Sequence, residues 1–386
     1  VSILLKQIAT ASKIIEAYDF KQPFHLYLSI VYKSQKQMGS KDRKIIREAC
    51  YAFFRWGNLF NQLTIEEKMR LSFAKKNLLP YEFETIQKHG INIQNEEDLT
   101  NYILLNSADI FPCNQALSNN ISKTEFYTSH LIPGNVFFRF THKGSSLKDN
   151  LPAHICHYKD NIYFTQSATN LNEWVKSGYI QIQDLSSQEV CKQIAISTKV
   201  WDICTGSGGK LLHLQELFPS AVFYASDIRP QILYKLLERS NSIQIKLPSI
   251  GAIDMSKPQQ QITFKFGPNA VMVNKPYFKT IIADVPCTGS GVWRRNPENL
   301  RQFDCTQIAH YQKKQAQILT NALPFLEAGG DLYYITCSVF EAENEGHASL
   351  WKSLGLSCIF KKYINTQAHG GDILFIAHLK KTQNTD

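Results

Sequence analysis

The 386-residue chain has no Cys-x-x-Cys pair, and its nine cysteines are an odd number. That excludes a disulfide framework and a four-ligand zinc site as expectations, so no metal is expected. Thiols used in this way fit a reducing compartment. No apolar run approaches the ~18 residues that a membrane helix needs, and no charged-then-apolar leader opens the chain. These absences predict a soluble, cytoplasmic protein with no membrane partner. Acidic residues are in deficit, 33 Asp and Glu against 42 Lys and Arg, leaving a formal net charge of +9. An anionic partner follows, nucleic acid first. Disorder is not expected to dominate at 44% hydrophobic residues, and the length suffices for two or three domains.

Two phosphate-binding motifs are also missing. The strand-like run Lys199 to Cys204 leads into Thr205, Gly206, Ser207, Gly208, Gly209 and Lys210. A P-loop would need Gly near Cys204 and Ser or Thr in place of Leu211, and the glycines are wrongly spaced for the dinucleotide fingerprint. What remains is a glycine turn at a helix start, able to hold a nucleotide-like ligand against backbone N–H groups. Asp227 ends the following strand, where a carboxylate can accept both hydroxyls of a ribose; its alternative is to cap the helix near Arg229 and Pro230. Asp254, if it ends a third strand, is placed to meet an adenine. An adenosine ligand without a phosphate anchor, beside active-site thiols, points to S-adenosylmethionine rather than NAD.

Three regions follow from the patterning. Residues 1–117 read as a helical domain. Ile3, Leu4, Ile8, Ile14 and Ile15 form one helical stripe. Ser40 is expected to cap a helix on which Ile45, Ile46, Ala49, Cys50, Phe53 and Phe54 share a face. Its cations Lys41, Arg43, Lys44 and Arg47 are either a solvated face or phosphate contacts. Residues 118–183 read as a small α+β module, with strands at 136–140, 162–165 and 179–183 and a helix at 171–176. Its aromatics either form a core or stack on RNA bases. Residues 184–386 alternate strand and helix as in a doubly wound α/β sheet, beginning with a helix capped by Ser186 or Ser187. Its strands are expected at 199–204, 221–227, 249–254, 280–284, 331–337 and 372–379, with 255–279 as a surface loop or hairpin.

The chemistry is expected at two strand ends. Ile281, Ile282 and Ala283 read as a buried strand that stops at Asp284, Val285, Pro286 and Cys287, before a Gly289–Gly291 turn; a second strand ends at Cys337. In open α/β sheets ligands sit past the carboxyl ends of the strands. If the two strands are neighbours, both thiols and Asp284 reach one small volume. Carbon 5 of cytosine becomes nucleophilic once a thiolate adds at carbon 6. Asp284 can stabilise that adduct by hydrogen bonding to the ring, while the second thiol assists proton removal or release. Trp293, Arg294 and Arg295 follow directly, a composition suited to an RNA backbone with a splayed base. Lys210 is a further candidate RNA contact and a cation for the site. Cys50, Cys113, Cys156, Cys191, Cys305 and Cys358 are assigned to core or surface.

Together, Asp202 to Lys210, Asp227, Asp284 to Gly291, Arg294 to Pro297, Thr336 to Ser338 and the Glu343-Asn344 pair resemble the Sun-type (RsmB-like) RNA cytosine-5 methyltransferases. Gln183 to Gln188 is similar to the family's entry into its catalytic domain. The resemblance implies a Rossmann-like methyltransferase domain over 184–386, an RRM-like module before it and a NusB-like, RNA-binding helical domain at the start. It implies Cys337 as nucleophile, Cys287 in product release, and S-adenosylmethionine held by Cys204, Thr205, Gly206, Ser207, Gly208, Gly209, Lys210, Asp227, Asp254 and Asp284. A monomer acting on 16S ribosomal RNA is the implied enzyme. Transfer RNA or DNA as substrate, or a non-catalytic RNA-binding ribosome-assembly factor, are the alternatives. Thr205, Gly206 and Ser207 stand where the family usually has Ala-Ala-Pro, a change expected to alter loop stiffness more than chemistry.

Overall fold

Apolar residues at helical spacing dominate the first part of the chain, and they bury accordingly. The computed structural model describes residues 2–111, 115–166, 171–246, 248–265 and 270–382. The chain divides into two units, the first comprising Val1–Gln115, Ile121–Pro133 and Trp293–Cys305. Its opening helices are α1 (Ser2–Glu16), α2 (Phe24–Ser34), α3 (Ser40–Arg55) and α4 (Ile65–Ala74). Ile8, Ile14 and Ile15 of α1 pack with Ile46, Ala49, Cys50, Phe53 and Phe54 of α3 and with Met69 and Phe73 of α4. Burial of each such large side chain stabilises by about 1.5–3 kcal/mol. Two local expectations shift here. Ile3 is 70% exposed on the free first turn of α1. Gly39, not Ser40, is the cap of α3, because the Asp42 carboxylate turns back to accept the Gly39 N–H at 3.3 Å.

The second unit comprises Ala116–Asn120, Gly134–Val292 and Thr306–Asp386. A four-stranded sheet, ordered β2-β3-β1-β4, is built from β1 (Val136–Phe140), β2 (Cys156–Lys159), β3 (Ile162–Thr165) and β4 (Ile180–Ile182). Phe137, Phe138, Phe140 and Tyr163 are all buried. Of the two roles open to these aromatics, the structure gives them the core. Arg139 of β1 is almost fully buried and pairs with Glu216.

The larger sheet has seven strands, β5 (Lys199–Asp202), β6 (Val222–Asp227), β7 (Ser249–Ala252), β10 (Phe278–Asp284), β11 (Leu326–Thr336), β12 (Leu356–Asn365) and β13 (Ile373–Lys381), in the order β12-β13-β11-β10-β5-β6-β7. Neighbours from β7 to β11 run parallel, while β13 is antiparallel to both β11 and β12. The stretch 255–279 carries a hairpin, β8 (Ile262–Phe264) with β9 (Val271–Val273). Trp201, Ile281, Tyr334 and Phe375 are 0% exposed in the cluster on one face of the large sheet, so the strands cannot slip by one residue without turning these side chains out of the core. Three expectations shift in this unit. Asp184, not Ser186 or Ser187, caps the helix Leu185–Cys191, its Oδ1 accepting the Ser186 N–H at 2.9 Å. Strand β11 starts before Asp331, because Gly329 and Gly330 form a bulge rather than a turn. Strand β12, at the sheet edge, lacked an apolar pattern and was not expected. Cys113 lies outside the described residues. Among those described, no helix is long and apolar enough to cross a membrane.

Candidate active site

Strands β10 and β11 are parallel neighbours, with Asp284 opposite Ile335. Ile281, Ile282 and Ala283 are completely buried, which fixes where β10 ends. Just past the two strand ends, Cys287 Sγ and Cys337 Sγ lie 3.3 Å apart. The Gly291 N–H donates to the Cys337 carbonyl at 2.8 Å, tying one turn to the other. A Cβ on residue 291 would fall 2.1 Å from the Ile373 carbonyl oxygen and 3.0 Å from that of Cys337. Glycine is required there by space.

One buried carboxylate organises both turns. Glu343 is 0% exposed and accepts the Thr288 N–H at 2.9 Å, the Thr288 and Ser338 hydroxyls, and Gln315 Nε2 at 3.1 Å. Gln315 also donates to the Pro286 carbonyl at 3.0 Å, and its own oxygen meets His347 Nε2 at 2.9 Å. Asn344 accepts the Thr336 hydroxyl and donates to the Ser338 carbonyl at 2.9 Å. The residues flanking Cys287 and Cys337 are thus fixed through one network, the condition for holding two side chains in register.

Charge is concentrated beside the thiols. Lys210 Nζ donates to Asp284 Oδ2 at 2.7 Å. Burial alone would pull the Lys210 ammonium down, but Asp284 and the nearby thiols carry it above the ordinary lysine value. The hydrogen bond with Cys337, then burial, push the Cys287 thiol well up. Asp202, 1% exposed at the end of β5, is raised to about 7 by burial first and by Asp284 second.

The glycine turn follows β5. Gly208 is left-handed (φ +82°) at the cap of the helix Gly209–Leu217. Gly206 has φ +55° and open space where a Cβ would stand, and its N–H donates to Asp227 Oδ2 at 3.0 Å. Ser207 is held by Arg239 Nη1, at 2.9 Å from its carbonyl and 3.1 Å from its hydroxyl. The same guanidinium donates to Gln181 Oε1 of β4 at 2.6 and 3.0 Å. The stiffness a proline would give this turn is supplied here by an arginine clamp. Asp202 Oδ1 and Thr205 Oγ1 are buried beside the turn and make no well-formed hydrogen bond among the described residues, although the Thr205 hydroxyl is near enough to draw the Asp202 carboxyl down. Buried polar atoms left unpaired are costly, so this pair fits a ligand that brings donors, such as the ammonium of an amino-acid moiety. Asp227 is 4% exposed, and its carboxylate also accepts the Arg229 backbone N–H at 2.9 Å and the Arg229 guanidinium at 2.9 and 3.1 Å. That side chain is 63% exposed, so a ribose could displace it. Asp254 follows the tip of β7, and its Oδ1 closes a turn by accepting the Ser256 N–H and hydroxyl at 3.0 and 2.6 Å. Cys204 is half-buried against the sheet core, and burial pushes its thiol well up.

The expected RNA contacts are distributed differently. Trp293 is 1% exposed and packs on Phe111 and Phe303, while Arg294 is 6% exposed with Nε donating to the Ile132 carbonyl at 3.0 Å. Both belong to the core of the first unit, because the run enters that unit at Trp293; a base cannot stack on a ring so enclosed. Arg295 is the exposed member of the pair. The positioning residues Asp202, Glu343, Gln315 and Arg239 were not singled out as site residues in the sequence. Two of them carried a legible signal: Asp202, a charge ending an apolar strand just before a glycine turn, and Glu343, through the Glu343-Asn344 pair of the family resemblance.

Residues 194–351 match the family model described as 16S rRNA methyltransferase RsmB/F. The chain is 29% identical over 211 residues to the ribosomal RNA small subunit methyltransferase B of Proteus mirabilis, covering 53% of this chain and 46% of that protein. The enzyme of the same name from Xylella fastidiosa is 30% identical over 174 residues, 44% of this chain and 38% of the relative. The match therefore spans less than half of either relative. Among solved structures, PH0851 superposes with a TM-score of 0.69 at 15% identity, covering 98% of this chain and 99% of that one. A methyltransferase homologue from Pyrococcus horikoshii gives 0.54 at 16% identity, over 78% and 99%. At such identities these two speak for the fold alone.

Proposed function

We propose that this chain, whose residues 194–351 match the family model of the 16S rRNA methyltransferases RsmB/F, is a Sun/RsmB-type, S-adenosylmethionine-dependent methyltransferase that methylates carbon 5 of a cytidine in RNA, with 16S ribosomal RNA as the substrate. The observation that carries the reading is the pair of thiols 3.3 Å apart, past the ends of adjacent parallel strands and in line with Asp284. S-adenosylmethionine, when bound, supplies an electrophilic methyl group. Asp202 and Thr205 would take its amino-acid end, the turn Cys204–Lys210 its body, Asp227 its ribose and Asp254 its adenine.

Cys337 adds through sulfur to carbon 6 of the cytosine, and the displaced electron pair makes carbon 5 nucleophilic. Carbon 5 takes the methyl group and then passes its proton to Cys287, which acts as a thiolate base in that step. The carbon 5–carbon 6 double bond re-forms as the sulfur leaves. Asp284, bridged to Lys210 through Oδ2, holds the polar edge of the ring while charge develops. The roles of the two thiols follow the family resemblance, and their contact at 3.3 Å puts Cys287 beside the adduct for the release step.

The test is substitution of each thiol with an RNA substrate and labelled methyl donor. Cys337→Ala is expected to abolish transfer, and Cys287→Ala to accumulate a protein–RNA adduct that survives denaturing electrophoresis. An adduct trapped by Cys337→Ala instead would reverse the roles. Full activity in both variants would defeat the proposal.

A further inference from the structure

The first unit carries a charged groove outside the candidate active site. Its volume is about 610 Å³, and it lies between α2 and α3. Lys33 and Lys36, at the end of α2 and just beyond it, line it together with Arg43 and Arg47 of α3, over a floor that includes Tyr32 and Tyr51. The lining residues of α2 recur at helical spacing and so do those of α3, so each helix presents one stripe to the groove.

Among the described residues no carboxylate lines it. The acids of α3 are engaged elsewhere: Asp42 accepts Gln7 Nε2 at 2.6 Å and the Gly39 N–H, and Glu48 pairs with Lys76. Glu298 is felt by Tyr51 but is itself 3% exposed. Among the described residues none of the four groove cations has a carboxylate within ion-pair distance. The groove is thus a concentrated positive field with an apolar, aromatic floor.

We propose that this groove binds a single-stranded segment of the substrate RNA along its phosphodiester backbone. The inference rests on RNA being the substrate, as proposed above. Cations one helical turn apart are separated by ~6 Å along the axis, an arrangement for a chain of repeating charges rather than for a single anion. Tyrosine rings beneath them offer a surface for sugar and base. The sequence left Arg43 and Arg47 undecided between a solvated face and phosphate contacts. The structure sets them opposite Lys33 and Lys36, while Lys41 and Lys44 are not part of the lining.

The experiment measures binding of a fluorescent single-stranded RNA oligonucleotide to the full chain by anisotropy across a salt series. The variant K33Q/K36Q/R47Q changes only exposed side chains and spares Arg43, which sits over Tyr32. A charge-matched control, K352Q/K361Q/K362Q, removes three exposed lysines from the second unit. Each phosphate contact contributes a slope of ~0.7 in log affinity against log salt. The groove variant is expected to weaken binding at least tenfold and flatten the slope by about 2, with S-adenosylmethionine affinity by calorimetry unchanged and the control close to wild type. Equal losses in the two variants, or wild-type affinity in the groove variant, overturn the proposal. So does polyglutamate binding that is lost in the groove variant while RNA binding is kept. Because the readout is binding, it remains decisive even if the cytosine chemistry fails its own test.

Discussion

Gly291 offers a test of the thiol geometry that touches neither sulfur. Its N–H holds the Cys337 carbonyl at 2.8 Å, and a Cβ would press on the Ile373 carbonyl oxygen at 2.1 Å, where ordinary contact begins at 3.4 Å. The obstacle is backbone of β13, paired along its length with β11 and β12, so the turn must move rather than the strand. Gly291→Ala therefore requires a shift of roughly 1 Å in the turn that carries Cys287, and a misplacement of that size at a reacting centre costs on the order of 10²-fold in rate. Backbone conformation is not the issue, since φ at this position is outside the left-handed region. The assay is single-turnover methyl transfer to RNA, with a thermal melt to show that the variant is folded. A second readout is the rate at which the diazene oxidant diamide joins the two thiols, itself reduced to the hydrazine as each thiol gives up a hydrogen. Both rates should fall together while cofactor affinity stays within a few-fold of wild type. A folded Gly291→Ala protein with wild-type transfer would refute the claim that this contact sets the thiol positions.

Other consequences can be read more briefly. Asp202 is raised from 3.8 to about 7 on folding, so the stability it lends is fully present below pH ~4 and is lost as pH rises to about 7. That loss is on the order of 4 kcal/mol for cofactor-free protein, and urea midpoints of Asp202→Asn should be correspondingly flatter across the window; an unchanged pH slope would count against it. Arg239→Ala frees Ser207 and leaves Gln181 Oε1 without its donor, which should weaken S-adenosylmethionine binding about tenfold, since a hydrogen bond to a charged group contributes ~1.5–3 kcal/mol; calorimetry reads this, and unchanged affinity refutes the clamp. Glu343→Gln places an NH₂ against groups that already donate, including Thr288, Ser338 and Gln315. It should lower stability by about 1–3 kcal/mol and slow transfer without changing cofactor affinity; a neutral outcome in both would remove Glu343 as the organiser of the turns.

The sequence by itself determined the repeating strand–helix order after residue 184 and the strand ends at Asp227 and Asp284, with the end expected at Cys337 falling one residue earlier, at Thr336. These are local matters: an apolar run of fixed length, a proline that cannot continue a ladder, a glycine turn. It also determined that a thiol follows each of two strands. It did not determine that those strands are neighbours, because parallel pairing is set by how the whole sheet is wound, with β5, β6 and β7 lying on the far side of β10. Nor could local pattern reveal that Glu343 is buried between two turns, for a Glu in a polar stretch reads as solvent-exposed until Thr288, Ser338 and Gln315 close around it. Trp293 and Arg294 show the same limit in reverse. Beside a catalytic turn they read as surface groups for RNA, yet the chain crosses into the first unit at that point and the packing there encloses them. Residue type and spacing fixed which groups are chemically able; burial and partners, which depend on distant segments, decided which of them stand at the site.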